Sequence, residues 1–135
     1  MSIEITLLFW ATALTFVQTV VAAIGKALQH GLPAMVGNRE GLPSSDGWVG
    51  RAERAQSNML ENMVPFAGLV LIAHLTGNLS DMTALGAQLF FWARLAYAAI
   101  YVVGISWART AVFILSLAGM ALIFIELIKV VGGPL

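Results

Sequence analysis

Arg51, Arg54, Asn58 and Glu61 recur at helical spacing inside a dense polar stretch, residues 51–62. At about 100° per residue on an α-helix they fall within a stripe roughly 80° wide. Two guanidinium groups, a carboxamide and a carboxylate therefore converge on one face. The stretch runs directly into an apolar segment, residues 63–75. Burying charge at such a boundary is costly unless the groups pair with one another or meet a polar ligand. The chemistry that fits is recognition of a small zwitterionic molecule.

A second constellation lies further along. Arg94, Tyr97 and Tyr101 stand at i, i+3 and i+7, again on one helical face. Arg94 is flanked by Phe90, Phe91, Trp92, Leu95 and Ala96. Either it snorkels to an interface or pairs with Glu61, or it faces the interior of a bundle and holds an anionic ligand. Arg109 follows Gly104 and the Ser106-Trp107 turn, as an interfacial anchor or as a further cation of the same site. Tyrosines are common in membrane belts, so it is the spacing from Arg94 that singles out Tyr97 and Tyr101.

These residues need a scaffold, and composition says which kind. The chain has 135 residues, 59% hydrophobic and 10% charged, where soluble domains carry about 25% charged residues. Seven basic and seven acidic residues cancel, leaving no polybasic signature for nucleic acid. The absence of cysteine excludes disulfides, thiolate metal sites and a cysteine nucleophile. Any thiol chemistry must come from a bound thiol. Two histidines, His30 and His74, make a histidine-rich metal site improbable.

Four apolar segments predict an all-α, integral-membrane, antiparallel four-helix bundle in one domain, with helices over about 3–29, 48–76, 81–104 and 107–131. The first is free of charge from Ile5 to Gly25 and lacks the basic start of a signal peptide. The segment 63–75 is too short alone and spans only when joined to the polar stripe. Ser80 or Asp81 is placed to cap the third helix. The loop between the first two helices carries Pro33, Pro43 and four glycines, a density that predicts no regular helix there. Lys26, Arg39, Arg51 and Arg54 share that side. The positive-inside tendency puts the loop in the cytoplasm and both termini on the opposite side.

Several other residues read as structural. Pro65 predicts a kink in the second helix. Ala96, Ala98, Ala99, Gly104 and Gly119 permit close helix packing. Glu126 and Lys129 are spaced for a surface pair, and His74 for a helix end at the interface.

The pattern Arg51-x-x-Arg54-Ala55-Gln56-x-Asn58-x-x-Glu61-x-x-x-Pro65, followed by Arg94-x-x-Tyr97-x-x-x-Tyr101 and Arg109, resembles the membrane-associated proteins in eicosanoid and glutathione metabolism. Leukotriene C4 synthase and the microsomal glutathione transferases belong to that family. The short chain and Gly/Pro-rich first loop are most similar to its bacterial members, which implies the bacterial inner membrane. The resemblance covers residues 1–131.

It implies a homotrimer binding glutathione between neighbouring subunits. Residues at the positions of Arg51, Arg54, Asn58, Glu61, Arg94, Tyr97 and Tyr101 would hold the peptide, with Gln56 contributed from an adjacent chain. Gln56 lies roughly 140° from Arg51 on the helix, off the main stripe. Arg109 would hold the thiol as thiolate, with Tyr101 as a donor beside it; a guanidinium near sulfur favours the anion, which is the nucleophile. The implied activity is a glutathione-dependent transferase or peroxidase acting on a hydrophobic electrophile or lipid. The alternatives are a non-catalytic lipid- or thiol-binding protein of the same fold, and a structural or transport-related four-helix protein. Ser57 stands where some members carry a basic residue, and Lys26 and Arg39 are both available in place of a first-helix arginine.

Overall fold

In the computed structural model, residues 1–38 and 40–133 are described. They form five helices: α1 (Ile3–His30), α2 (Leu32–Val36), α3 (Gly47–Leu75), α4 (Asp81–Val103) and α5 (Ser106–Ile128). Four of them are long and apolar enough to cross a membrane, at 28, 29, 23 and 23 residues. At 1.5 Å per residue they measure about 35–43 Å, against a hydrocarbon core of about 30 Å.

Local chemistry sets the ends. Ser2 caps α1, its Oγ accepting from the Ile5 N–H at 3.2 Å. Of the two candidates at α4, the cap is Ser80, in a reciprocal box with Thr83. Gly77, at φ +72°, turns the chain after α3, and Gly104, at φ +98°, ends α4 in the left-handed region. α5 stops at Ile128, short of the expected 131, where Gly132 and Gly133 follow closely.

The loop departs from expectation. Its glycines and prolines predict no regular helix, yet Leu32–Val36 forms one turn and a half. Pro33 sits in the first turn, where a missing N–H is harmless, and Gly37 ends the element at once. The Gln29 side chain then clasps the loop, donating to the Asp46 carbonyl at 2.9 Å and accepting from the Asp46 N–H at 3.2 Å.

The four long helices run alternately up and down. α1 packs on α3 and α4, and α3 and α4 both pack on α5. The core is built from Leu7, Ala11, Met59, Phe66, Val70, Phe90, Ile123 and Leu127, with the Phe66 and Phe90 rings stacked at 3.8 Å. α4 and α5 approach most closely at Gly86 and Gly119; a Cβ on either would lie 2.5 Å from the other's carbonyl oxygen. Outward-facing Phe16, Val64 and Trp107 are 69%, 76% and 77% exposed, an apolar coat suited to lipid. α3 continues through Pro65, whose missing N–H deprives the Glu61 carbonyl, four residues back, of its helical donor.

Candidate functional site

This topology gathers the start of α3, the end of α4 and the start of α5 at the end of the bundle that carries the long loop. The predicted polar residues sit there. From α4, Arg94 and Tyr97 turn inward, 1% and 5% exposed. The Arg94 guanidinium lies over the Tyr97 ring, 4.3 Å from its centroid. Tyr97 and Tyr101 follow one another with centroids 5.5 Å apart. Beyond them the Arg109 guanidinium stands 4.7 Å from the Tyr101 centroid, and the Arg54 Nε donates to the Tyr101 hydroxyl at 3.1 Å. Three cations thus bracket two tyrosine rings, each in cation–π range.

The hydrogen-bond inventory of this stack is one-sided. All three nitrogens of Arg94 are buried without a partner. Arg94 neither snorkels nor pairs with Glu61: among the described residues the ion pair is Lys129–Glu126, and no carboxylate comes within 4.0 Å of Arg94. The Tyr101 oxygen accepts from Arg54, and its own proton has no acceptor among the described residues. The flanking guanidinium groups donate only, so the proton of this part-exposed hydroxyl is left for water or for a ligand.

Two adjoining cavities share Asn58. The inner one, about 110 Å³, is lined by Asn58, Tyr97, Arg109, Thr110 and Phe113. The outer one, about 310 Å³, is lined by Glu53, Arg54, Ser57, Asn58 and Glu61. Apart from the apolar Phe113, the inner wall presents hydroxyls, a carboxamide and a guanidinium; the outer wall adds two carboxylates. Arg94 touches neither space and lies behind Tyr97. Its charge, stacked on Tyr97 and without a carboxylate within 4.0 Å among the described residues, favours an anion in the inner cavity without direct contact.

Not every candidate joins this group. Arg51 donates from Nε to the Val102 carbonyl at 2.9 Å and lies beside Gly104, satisfying the end of α4 rather than lining either cavity. Gln56 turns to α1 of its own chain, donating to Thr19 Oγ1 at 3.3 Å. Lys26 is half-buried near the end of α1, and Arg39 lies outside the described residues.

Four residues at the site escaped the sequence reading. Thr110 and Phe113 follow Arg109 on α5, and Phe113 at i+4 was detectable as sharing its face. Asn62, at i+4 from Asn58, is buried and donates from Nδ2 to the Asn58 carbonyl at 2.8 Å. Glu53 is held by the loop: Ser45 donates its hydroxyl proton to Glu53 Oε1, so the His30 Nε2 contact to Ser45 at 3.1 Å requires the imidazole to be the donor. No sequence spacing signals that chain of contacts, because it crosses the long loop.

The MAPEG family model matches residues 5–129. No curated protein and no solved structure matches the chain.

Proposed function

The chain belongs to the MAPEG family of multi-pass membrane proteins, which includes glutathione transferases, and from that premise we propose that it is a glutathione-dependent transferase or peroxidase acting on lipophilic electrophiles. The observation that carries this reading is the buried guanidinium of Arg94, without a hydrogen-bond partner, behind a cavity lined by Asn58, Tyr97, Arg109, Thr110 and Phe113. Glutathione offers two carboxylates, one ammonium and a thiol. The inner cavity suits an anion, and Glu53 and Glu61 in the outer cavity suit the ammonium.

Each residue then has a role. Arg54 keeps Nε on Tyr101 and has its two terminal nitrogens for a carboxylate. Asn58, at the junction of the cavities, donates to the peptide. Arg94 sets the positive field of the inner wall from behind the Tyr97 ring. Arg109 and the unspent Tyr101 proton face the thiol and stabilise its anion. Conjugation forms a carbon–sulfur bond as the leaving group departs with its electron pair and the thiol proton passes to water. In the peroxidase reaction two thiols are oxidised to a disulfide while the hydroperoxide is reduced to alcohol and water.

The second substrate enters laterally from the bilayer, because the apolar coat of the helices leaves lipid as its natural source. We place the loop end in the cytoplasm of a bacterial cell, following its basic residues, and assemble the protein as a trimer with sites at subunit boundaries. The Gln56 side chain, turned from the stripe towards α1, is positioned away from its own chain's cavities. Native mass spectrometry giving a monomer with full glutathione binding would exclude shared sites.

The function itself is tested by titrating purified protein with glutathione and reading the thiolate absorbance band, then assaying a haloarene and an organic hydroperoxide. The expected result is an absorbance increase that Arg109→Ala abolishes, with turnover of at least one substrate. Binding without absorbance change or turnover would make the protein a silent thiol binder, and no binding would remove glutathione altogether.

A further inference from the structure

Asn62 lines neither cavity, yet it is only 8% exposed and packs beside Asn58, which lines both. Its Nδ2 donates to the Asn58 main-chain carbonyl at 2.8 Å and stands 3.4 Å from the Asn58 side-chain Oδ1. A carboxamide nitrogen carries two hydrogens, so one Asn62 amide serves both oxygens. The second contact is long for a hydrogen bond, and it is the one with a functional consequence.

The Asn58 carboxamide has an accepting end and a donating end. With Oδ1 drawn to Asn62, both Nδ2 hydrogens remain for the cavities. The competing orientation has an evident attraction: Arg109 lines one cavity and Arg54 the other, and guanidinium groups, which only donate, pull a carbonyl oxygen towards themselves. In that orientation Asn58 would screen the arginines and present an oxygen to an incoming anion. The geometry points to Asn62 as a positioning residue that holds the Asn58 carboxamide with its NH2 facing the ligand. The choice of glutathione as that ligand rests on the preceding proposal; the orientation of the amide does not.

The chain itself supplies the variant that separates this role from support of the helix. Thr12, Thr15 and Thr19 each donate to the carbonyl four residues earlier, at 2.8–2.9 Å. Asn62→Thr therefore keeps the bond to the Asn58 main chain but has no second hydrogen for Oδ1. Asn62→Asp goes further, because its carboxylate attracts the Asn58 NH2 and turns Oδ1 outward.

The test uses full-length protein labelled with nitrogen-15 at asparagine, with the Asn58 side-chain amide signal and calorimetric glutathione affinity read together. The expected result is a shifted Asn58 signal in both variants and an affinity loss of about tenfold or more, the range for one hydrogen bond to a charged group. In an Asn58→Ala background Asn62→Thr should cost nothing further; Asn62→Asp stays out of that comparison, because its carboxylate repels an anion directly. An unmoved Asn58 signal in both variants overturns the proposal, as does an affinity loss that persists undiminished in the Asn58→Ala background. A wild-type protein that binds no glutathione contradicts the proposed function instead, and the amide signal then decides the orientation alone.

Discussion

The two ends of this bundle both carry hydrogen-bonded polar residues, and they differ in what is left over. At the end formed by the start of α1, the start of α4 and the end of α5, the groups answer one another. Glu4 is 3% exposed and accepts from the Thr83 hydroxyl, Thr83 exchanges bonds with Ser80, and Lys129 pairs with Glu126 at 2.7 Å. At the loop end Arg94 has no partner for three nitrogens, and the Tyr101 proton has no acceptor among the described residues. Buried polar groups that satisfy one another stabilise and define a fold, whereas a buried group left without a hydrogen-bond partner costs stability and calls for a water, an ion or a ligand. α4 and α5 touch at Gly86 and Gly119, and the two cavities that share Asn58 lie at the loop end.

The largest effect that would sharpen this contrast is on chemistry. Arg109→Ala should lower turnover by about 10²–10³-fold, the range for losing one donor to a developing anion, with glutathione affinity nearly unchanged. Steady-state kinetics beside calorimetry check it; equal rates would remove Arg109 from the mechanism. Next comes the close helix contact. Gly119→Val forces a side chain against the Gly86 carbonyl and the Phe90 amide and should cost about 1–3 kcal/mol or more, read as a lowered midpoint in detergent.

A smaller effect is expected at the self-satisfied end. Thr83→Val removes the buried partner of Glu4 and should destabilise by about 1–3 kcal/mol while leaving glutathione affinity intact. A loss of affinity there would break the division between the two ends. Smallest of all, Lys129→Ala should change stability by less than about 1 kcal/mol, because the lysine is 62% exposed and its pair is screened by water.

How much of this could be read from the sequence depended on the distance over which the cause acts. The four spans were legible because their signal is local: α1 carries no charge from Ile5 to Gly25, and Ser80 stands just before an apolar run. The short helix α2 was not, since Pro33 reads equally as a breaker and as a first-turn residue. Within the site, the shared faces of Arg54, Asn58 and Glu61 and of Arg94, Tyr97 and Tyr101 follow from helical period alone. That Arg54 meets Tyr101, and that Arg51 instead meets the Val102 carbonyl, depends on how α3 and α4 are set side by side. Asn62 is a further kind of case, lying within the motif but turned to its neighbour rather than lining either cavity.

The central claim is that Arg94 is kept without a hydrogen-bond partner for the sake of an anion, and one variant tests it on both counts. Thermal unfolding of wild type and Arg94→Leu should be compared with and without glutathione. Without ligand, Arg94→Leu should be about as stable as the wild type, since an apolar side chain replaces a buried charge that has the Tyr97 ring but no hydrogen-bond partner. Glutathione should raise the wild-type midpoint by clearly more than the variant's. A ligand-free variant that is clearly less stable, or one that glutathione stabilises as much as the wild type, would contradict the account.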